Sequence, residues 1–136
     1  MDTNIKYIAH AFIKINNKYL VIKRTAIKRG KPNMFPEYWD IPGGMVEEIE
    51  TPEEAAIRET KEEVNLDIKV EEILHQDSNY DKEKNITFKR IVYKGVLLKN
   101  QDENNIVLQK DEHSEYKLIN NLNEVDKVVD YLKNIL

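Results

Sequence analysis

GGMVEEIETPEEAAIRETKEEVNL, residues Gly43 to Leu66, is the stretch whose reading decides the fold. Within it, Thr51 supplies an N-cap hydroxyl, Pro52 falls at the first helical position, and a glutamate follows where it can close a capping box. The spacing predicts a helix from Pro52 to about Val64. Asn65 follows as a left-handed C-cap, a conformation that asparagine tolerates better than most residues with a side chain. Ala56, Ile57, Thr60 and Val64 share one side of this helix, the side expected to face a core.

The same stretch is unusually acidic. Between Glu47 and Glu63, eight glutamates occupy seventeen positions, a density that repels itself unless a cation collects it. Glu53 and Glu54 lie in the first helical turn, where the helix dipole favours negative charge and no functional reason is needed. Glu59, Glu62 and Glu63 stand at i, i+3 and i+4, so one turn presents three carboxylates in a single quadrant at the edge of the apolar side. Mg²⁺, small and hard, binds a few carboxylates together with phosphate oxygens and water, and this cluster suits it. On spacing alone, a solvated acidic helix face is an equal reading.

Working outward, Ile5 to Ile15 and Lys18 to Arg24 are rich in β-branched and aromatic residues and are joined by Asn16-Asn17, which predicts a hairpin. Thr25 to Pro36, with Gly30, Pro32, Pro36 and several basic side chains, reads as an exposed loop. Tyr38 to Ile41 is a short expected strand, stopped by Pro42-Gly43-Gly44. Downstream, Leu66 to Leu74 and Ile86 to Leu98 read as antiparallel strands linked through a polar stretch, Asn79 to Asn85. Asn100 to Asn105 is the one short candidate for disorder. Tyr116 to Ile119 reads as another strand, and Leu122, Val125, Val128, Val129, Leu132 and Ile135 recur at helical spacing, which predicts a closing amphipathic helix.

The 136 residues suit a single domain, 1–136, able to bury one core. A net charge of −4 leaves no broad basic field, so no stable nucleic-acid complex is expected. The chain has no cysteine, which excludes disulfides, thiolate metal sites and cysteine nucleophiles together. Its three histidines, His10, His75 and His113, show no zinc-type spacing. Asp2 and the polar start do not resemble a signal peptide, and no run approaches the ~20 apolar residues of a membrane span. A soluble, cytoplasmic protein is the expectation, with oligomeric state open.

With these residues in place, Gly43 to Leu66 resembles the signature of the Nudix hydrolase family, G-x5-E-x7-R-E-U-x-E-E-x-G-U, with U an aliphatic residue. Gly44, Glu50, Arg58, Glu59, Glu62, Glu63 and Leu66 match in register, and Trp39, Pro42 and Gly43 look like the usual lead-in. Two positions depart from it: Thr60 stands for an aliphatic residue and Asn65 for glycine. Neither is a ligand position, and each has a structural use, since Thr60 can bond the preceding turn and Asn65 can cap.

The resemblance implies an α/β fold, a Nudix-like α/β/α sandwich with a mixed central sheet. It also implies Mg²⁺-dependent hydrolysis, with Mn²⁺ as substitute, of a diphosphate linkage in a nucleoside diphosphate joined to another moiety, a modified or ordinary nucleoside triphosphate among the options. By the same resemblance, Glu59, Glu62, Glu63 and the Gly43 carbonyl hold metal, Glu62 or Glu59 is the candidate base, and Arg58 steadies the carboxylates. Glu112, just before an expected strand, is a candidate further ligand or base, with Asp111 and Glu115 as rivals and a plain polar loop as the other reading. Lys23 and Arg24 are candidates for substrate phosphates, Gly44 for close approach of substrate, and Trp39 and Tyr80 for base stacking, with core packing the alternative for Trp39. The competing function is a nucleotide-sensing module that keeps the fold without catalysis.

Overall fold

The Asn16-Asn17 pair turns the chain as expected. In the computed structural model, which describes residues 4–98 and 100–136, both have positive φ, 53° and 64°. They join β1 (Asn4–Ile15) to β2 (Lys18–Arg24). The following loop carries a two-strand ribbon, β3 (Ile27–Lys28) and β4 (Lys31–Pro32), turned by Arg29 and Gly30, both at positive φ. Then come β5 (Trp39–Asp40), β6 (Gly43–Met45), α1 (Pro52–Val64), β7 (Ile68–Asp81), β8 (Ile86–Leu97) and β9 (His113–Ile119).

β1 organises the sheet. It runs parallel to β8 from Asn4 opposite Ile86 to Ile13 opposite Gly95, and antiparallel to both β2 and β6. The result is a mixed sheet of order β5-β2-β1-β8-β7, with β6 paired to β1 and β9 to β2. Because side chains alternate along a strand, β1 serves two cores. Ala9, Ala11, Ile13 and Ile15 face α1, where Ala55, Ala56 and Val64 close on them. Phe12 joins Val21, Trp39, Ile41, Val92 and Ile119 beneath Val129, Tyr131 and Leu132 of the C-terminal segment.

α1 has the predicted limits. Thr51 Oγ1 accepts the Glu54 amide, the Glu54 carboxylate accepts the Thr51 amide, and Asn65 sits at φ 63°. Thr60 is fully buried and donates its hydroxyl to the Ala56 carbonyl at 2.7 Å.

The expected closing helix is corrected. Leu122–Glu124 and Asp130–Asn134 are short 3₁₀ turns, and between them the chain bends, with Val125 and Val129 extended and Lys127 at φ 41°. Trp39 explains this: its N–H donates to the Lys127 carbonyl, and its own carbonyl accepts the Val129 N–H. This bridge engages the backbone at 127–129 laterally, so those residues cannot wind into a helix, although their apolar side chains still cover the sheet.

Three smaller expectations shift. β7 continues through the polar stretch to Asp81, because Asn79, Tyr80 and Asp81 find partners in Phe88, Thr87 and Ile86, leaving a turn at 82–85. Glu103–Asn105 is a 3₁₀ turn capped by Asp102. β9 begins at His113 rather than Tyr116. Asp2 lies outside the described residues. Among the described residues, no helix is long and apolar enough to cross a membrane.

Candidate active site

The last turns of α1 meet the chain that leads into β9, and the backbone fixes how. The Val107 and Gln109 amides donate to the Val64 and Glu63 carbonyls, two of the acceptors that a helix end leaves open. The Gln109 carbonyl then accepts both the Glu112 and His113 amides. Glu112 and His113 are thereby held beside Glu63. One ligand atom from each of these three side chains lies within 4.8 Å of the others.

Glu63 is the innermost carboxylate, 3% exposed, and its Oε2 accepts the Gly43 amide at 2.9 Å. Burial pushes its carboxyl well above the usual range; the Gly43 bond opposes this, while Glu59, Glu112 and Asp40 add to it. Glu59 is also raised, chiefly by burial, against the pull of Arg58 and with a further push from Glu62 and Glu112. Gly44 lets Glu59 pack against the loop, since a Cβ there would stand 2.6 Å from the Glu59 carboxyl carbon. Glu62 is outermost, its side chain half exposed.

Arg58 ties the cluster together from one side. Its Nη2 and Nε reach Glu50 at 2.7 and 3.0 Å, its Nη1 reaches Glu59 at 2.8 Å and Glu62 at 3.2 Å, and its Nη2 also donates to the Met45 carbonyl. Only a planar fork can serve so many acceptors at once. Glu50 is thus a partner of Arg58 and sits below its usual pKa chiefly because of that bond. From the other side, Lys28 Nζ lies 2.7 Å from Glu112.

Other candidates fall elsewhere. Trp39 is 2% exposed and belongs to the second core, so its faces are closed to a base. The Lys23 ammonium lies 3.9 Å from Glu115 and 6.0 Å from the Trp39 ring centre. Arg24 is close but occupied: it donates to the Met34 carbonyl, Asn33 and Asp40, clamping the loop that precedes β5. Tyr80 is half exposed, on β7, with its hydroxyl on Asn85.

Sequence reasoning missed three features. Lys28 lay in a loop read only as basic. His113 stood in a stretch read as polar loop, whereas it is 4% exposed and opens β9. Asp40, next to the buried tryptophan, is 6% exposed and accepts bonds from the Tyr131 hydroxyl, the Ile41 amide and Arg24. Burial alone would raise the Asp40 carboxyl; His10 and these partners outweigh it and hold it low. The one available signal was alternation, which turns Asp40 away from the side that Trp39 occupies.

The NUDIX domain profile matches residues 7–134. Over 71 residues, 52% of this chain and 38% of the relative, the sequence is 44% identical to an ADP-ribose pyrophosphatase of Methanocaldococcus jannaschii. Over 70 residues, 50% of this chain and 57% of the relative, it is 36% identical to an 8-oxo-dGTP diphosphatase of Proteus vulgaris. The matched stretch therefore spans about two-fifths to three-fifths of these relatives' lengths. The fold resembles the crystal structure of a MutT protein from Methanosarcina mazei Go1, with a TM-score of 0.73, 22% identity, and coverage of 99% of this chain and 92% of that one.

Proposed function

The chain belongs to the NUDIX domain family, and from that premise we propose that it is a divalent-cation-dependent pyrophosphohydrolase, served by Mg²⁺ or Mn²⁺, that cleaves a diphosphate linkage in a nucleoside diphosphate joined to another group. The observation that carries this reading is the crowding of carboxylates at the end of α1: ligand atoms of Glu63 and Glu112 lie within 4.8 Å of each other, Glu59 is raised by burial with a push from Glu112, and Glu63 is buried and raised well above its usual range. Arg58 and Lys28 pair with Glu59 and Glu112, whereas the buried Glu63 is bonded by the neutral Gly43 amide, an arrangement that a bound cation would stabilise.

The donor set fits a hard divalent ion: carboxylate oxygens from Glu59, Glu62, Glu63 and Glu112, with the Gly43 carbonyl as a further oxygen. When bound, such an ion offsets phosphate charge and supplies an activated water. The side chains do the rest. Gly43 orients Glu63 through its amide, Arg58 fixes Glu59 and Glu62, and the absence of a Cβ at Gly44 leaves Glu59 its place. Glu62, half exposed, is the carboxylate open to solvent and the candidate to take a proton from an attacking water. Lys28 stands where an anionic substrate would compete with Glu112 for its ammonium.

Relatives named for ADP-ribose and for 8-oxo-dGTP frame the substrate class, with a nucleoside triphosphate, ordinary or modified, among the options. The test is a panel of nucleoside triphosphates, oxidised nucleotides, ADP-ribose and nucleotide sugars incubated with Mg²⁺, with products identified. Release of a nucleoside monophosphate with its phosphate-bearing partner from at least one compound, abolished by chelation, is expected. No Mg²⁺-dependent product from any of them would overturn the reading in favour of a sensing module.

A further inference from the structure

His113 carries a buried atom without a partner. Its Nδ1 makes no hydrogen bond, although the side chain is only 5% exposed and Nδ1 lies 3.5 Å from Glu63 Oε1. Leaving a buried polar nitrogen unpaired costs about 1–3 kcal/mol, so an orphan in such a place calls for a reason. With the ring proton on Nε2, the Nδ1 lone pair faces the carboxylate oxygen and is repelled by it. A cation between them satisfies both.

We propose that His113 Nδ1 is a nitrogen ligand in this centre, completing with Glu63 and Glu112 a three-sided site that prefers Zn²⁺ and similar borderline ions to Mg²⁺. The inference rests on the carboxylate centre described above and adds to it a ligand type that the acidic helix lacks. Around an ion with bonds of about 2.1 Å, ligand atoms stand roughly 3–4 Å apart. The three donor atoms here lie within 4.8 Å of one another, so closure needs movement on the order of 1 Å.

The scaffold allows that movement without unfolding. Glu63 and His113 are tied to each other through Gln109, and Glu112 extends from the same turn. Lys28, a third exposed, neutralises Glu112 in the absence of an ion and can withdraw to solvent when one enters. Imidazole nitrogen suits zinc, iron and nickel, carboxylate suits manganese and magnesium, and Mg²⁺ is the ion least served by exchanging an oxygen for a nitrogen.

The direct test uses the whole chain with ¹⁵N-labelled histidine, titrated separately with Zn²⁺ and Mg²⁺. Three histidines give three resolvable rings. Zn²⁺ is expected to move the His113 Nδ1 resonance to the position of a metal-bound nitrogen while His10 and His75 stay in place. In parallel, His113→Gln should weaken Zn²⁺ binding by on the order of 10–100-fold or more and Mg²⁺ binding much less. The wild-type spectrum decides even if the variant does not fold. If Zn²⁺ and Mg²⁺ both bind in a manner lost in Glu63→Gln, yet the His113 ring does not respond, the nitrogen ligand is overturned and the carboxylate centre stands. If neither ion's affinity depends on Glu63, the carboxylate centre falls and this inference with it.

Discussion

The two ends of α1 carry similar charge and opposite logic. At the start, Glu54 closes the capping box and Glu53 accepts the Tyr93 hydroxyl at 2.9 Å, so both carboxylates are solvated or bonded where the helix dipole welcomes them. At the end, Glu59 and Glu63 are turned inward, crowded by Glu112 and raised in pKa by burial. The number of glutamates does not separate the two ends. What separates them is burial, which crowds the carboxylates at one end against one another and raises Glu59 and Glu63 despite the partners they have.

The largest test of that contrast exchanges one residue at each end. Glu63→Gln should reduce kcat/KM by on the order of 10²-fold or more, as expected when a carboxylate that holds a catalytic ion is neutralised. Glu53→Gln, measured in the same assay, should change it by less than about threefold. Equal losses would mean that the helix does not divide as described.

Arg58 links the acidic end to the preceding loop, so its replacement sharpens the comparison. Arg58→Lys keeps the charge but cannot span Glu50, Glu59 and Glu62 together, and kcat should fall by roughly the 10–100-fold seen when a residue supporting a metal site is lost. The melting temperature should fall as well. Full activity in this variant would show that the fork is dispensable.

At the other end, Thr51→Ala removes a cap and should lower unfolding free energy by about 1 kcal/mol in denaturant titration, with kcat/KM unchanged. The smallest expected effect concerns acid. Glu50 has its pKa lowered from 4.5, mainly by Arg58, so it contributes stability that is present above pH 4.5 and fades as pH falls through the lower native value. Wild type should therefore lose more stability than Glu50→Gln between about pH 5 and pH 3. Parallel curves would contradict the assigned bond.

Much of this was legible in the sequence because it is local. Thr51, Pro52 and Asn65 fix α1 from within their own turns, Asn16-Asn17 fixes the first hairpin, and the i, i+3, i+4 spacing sets Glu59, Glu62 and Glu63 together. What was not legible depends on distant backbone. The C-terminal segment has helical spacing, yet Trp39, ninety residues earlier, engages its backbone as an extended bridge. Asp40 meets Tyr131 only through that same bridge. His113 looked like a loop residue because Gln109, which carries it to Glu63, has no local signature.

The central claim is that the acidic end of α1, together with Glu112, is arranged to hold a cation, and thermal unfolding with and without Mg²⁺ tests it most directly. At matched ionic strength, which removes general screening, a ligand bound only by the native state adds RT ln(1 + [L]/Kd) of stability. Wild-type melting temperature should rise with Mg²⁺ and saturate. In Glu59→Gln/Glu63→Gln protein the mutual repulsion is relieved and the site is lost, so the metal-free form should melt higher than wild type and respond little to Mg²⁺. A double variant that kept the full Mg²⁺-induced rise would place the ion elsewhere and contradict the account.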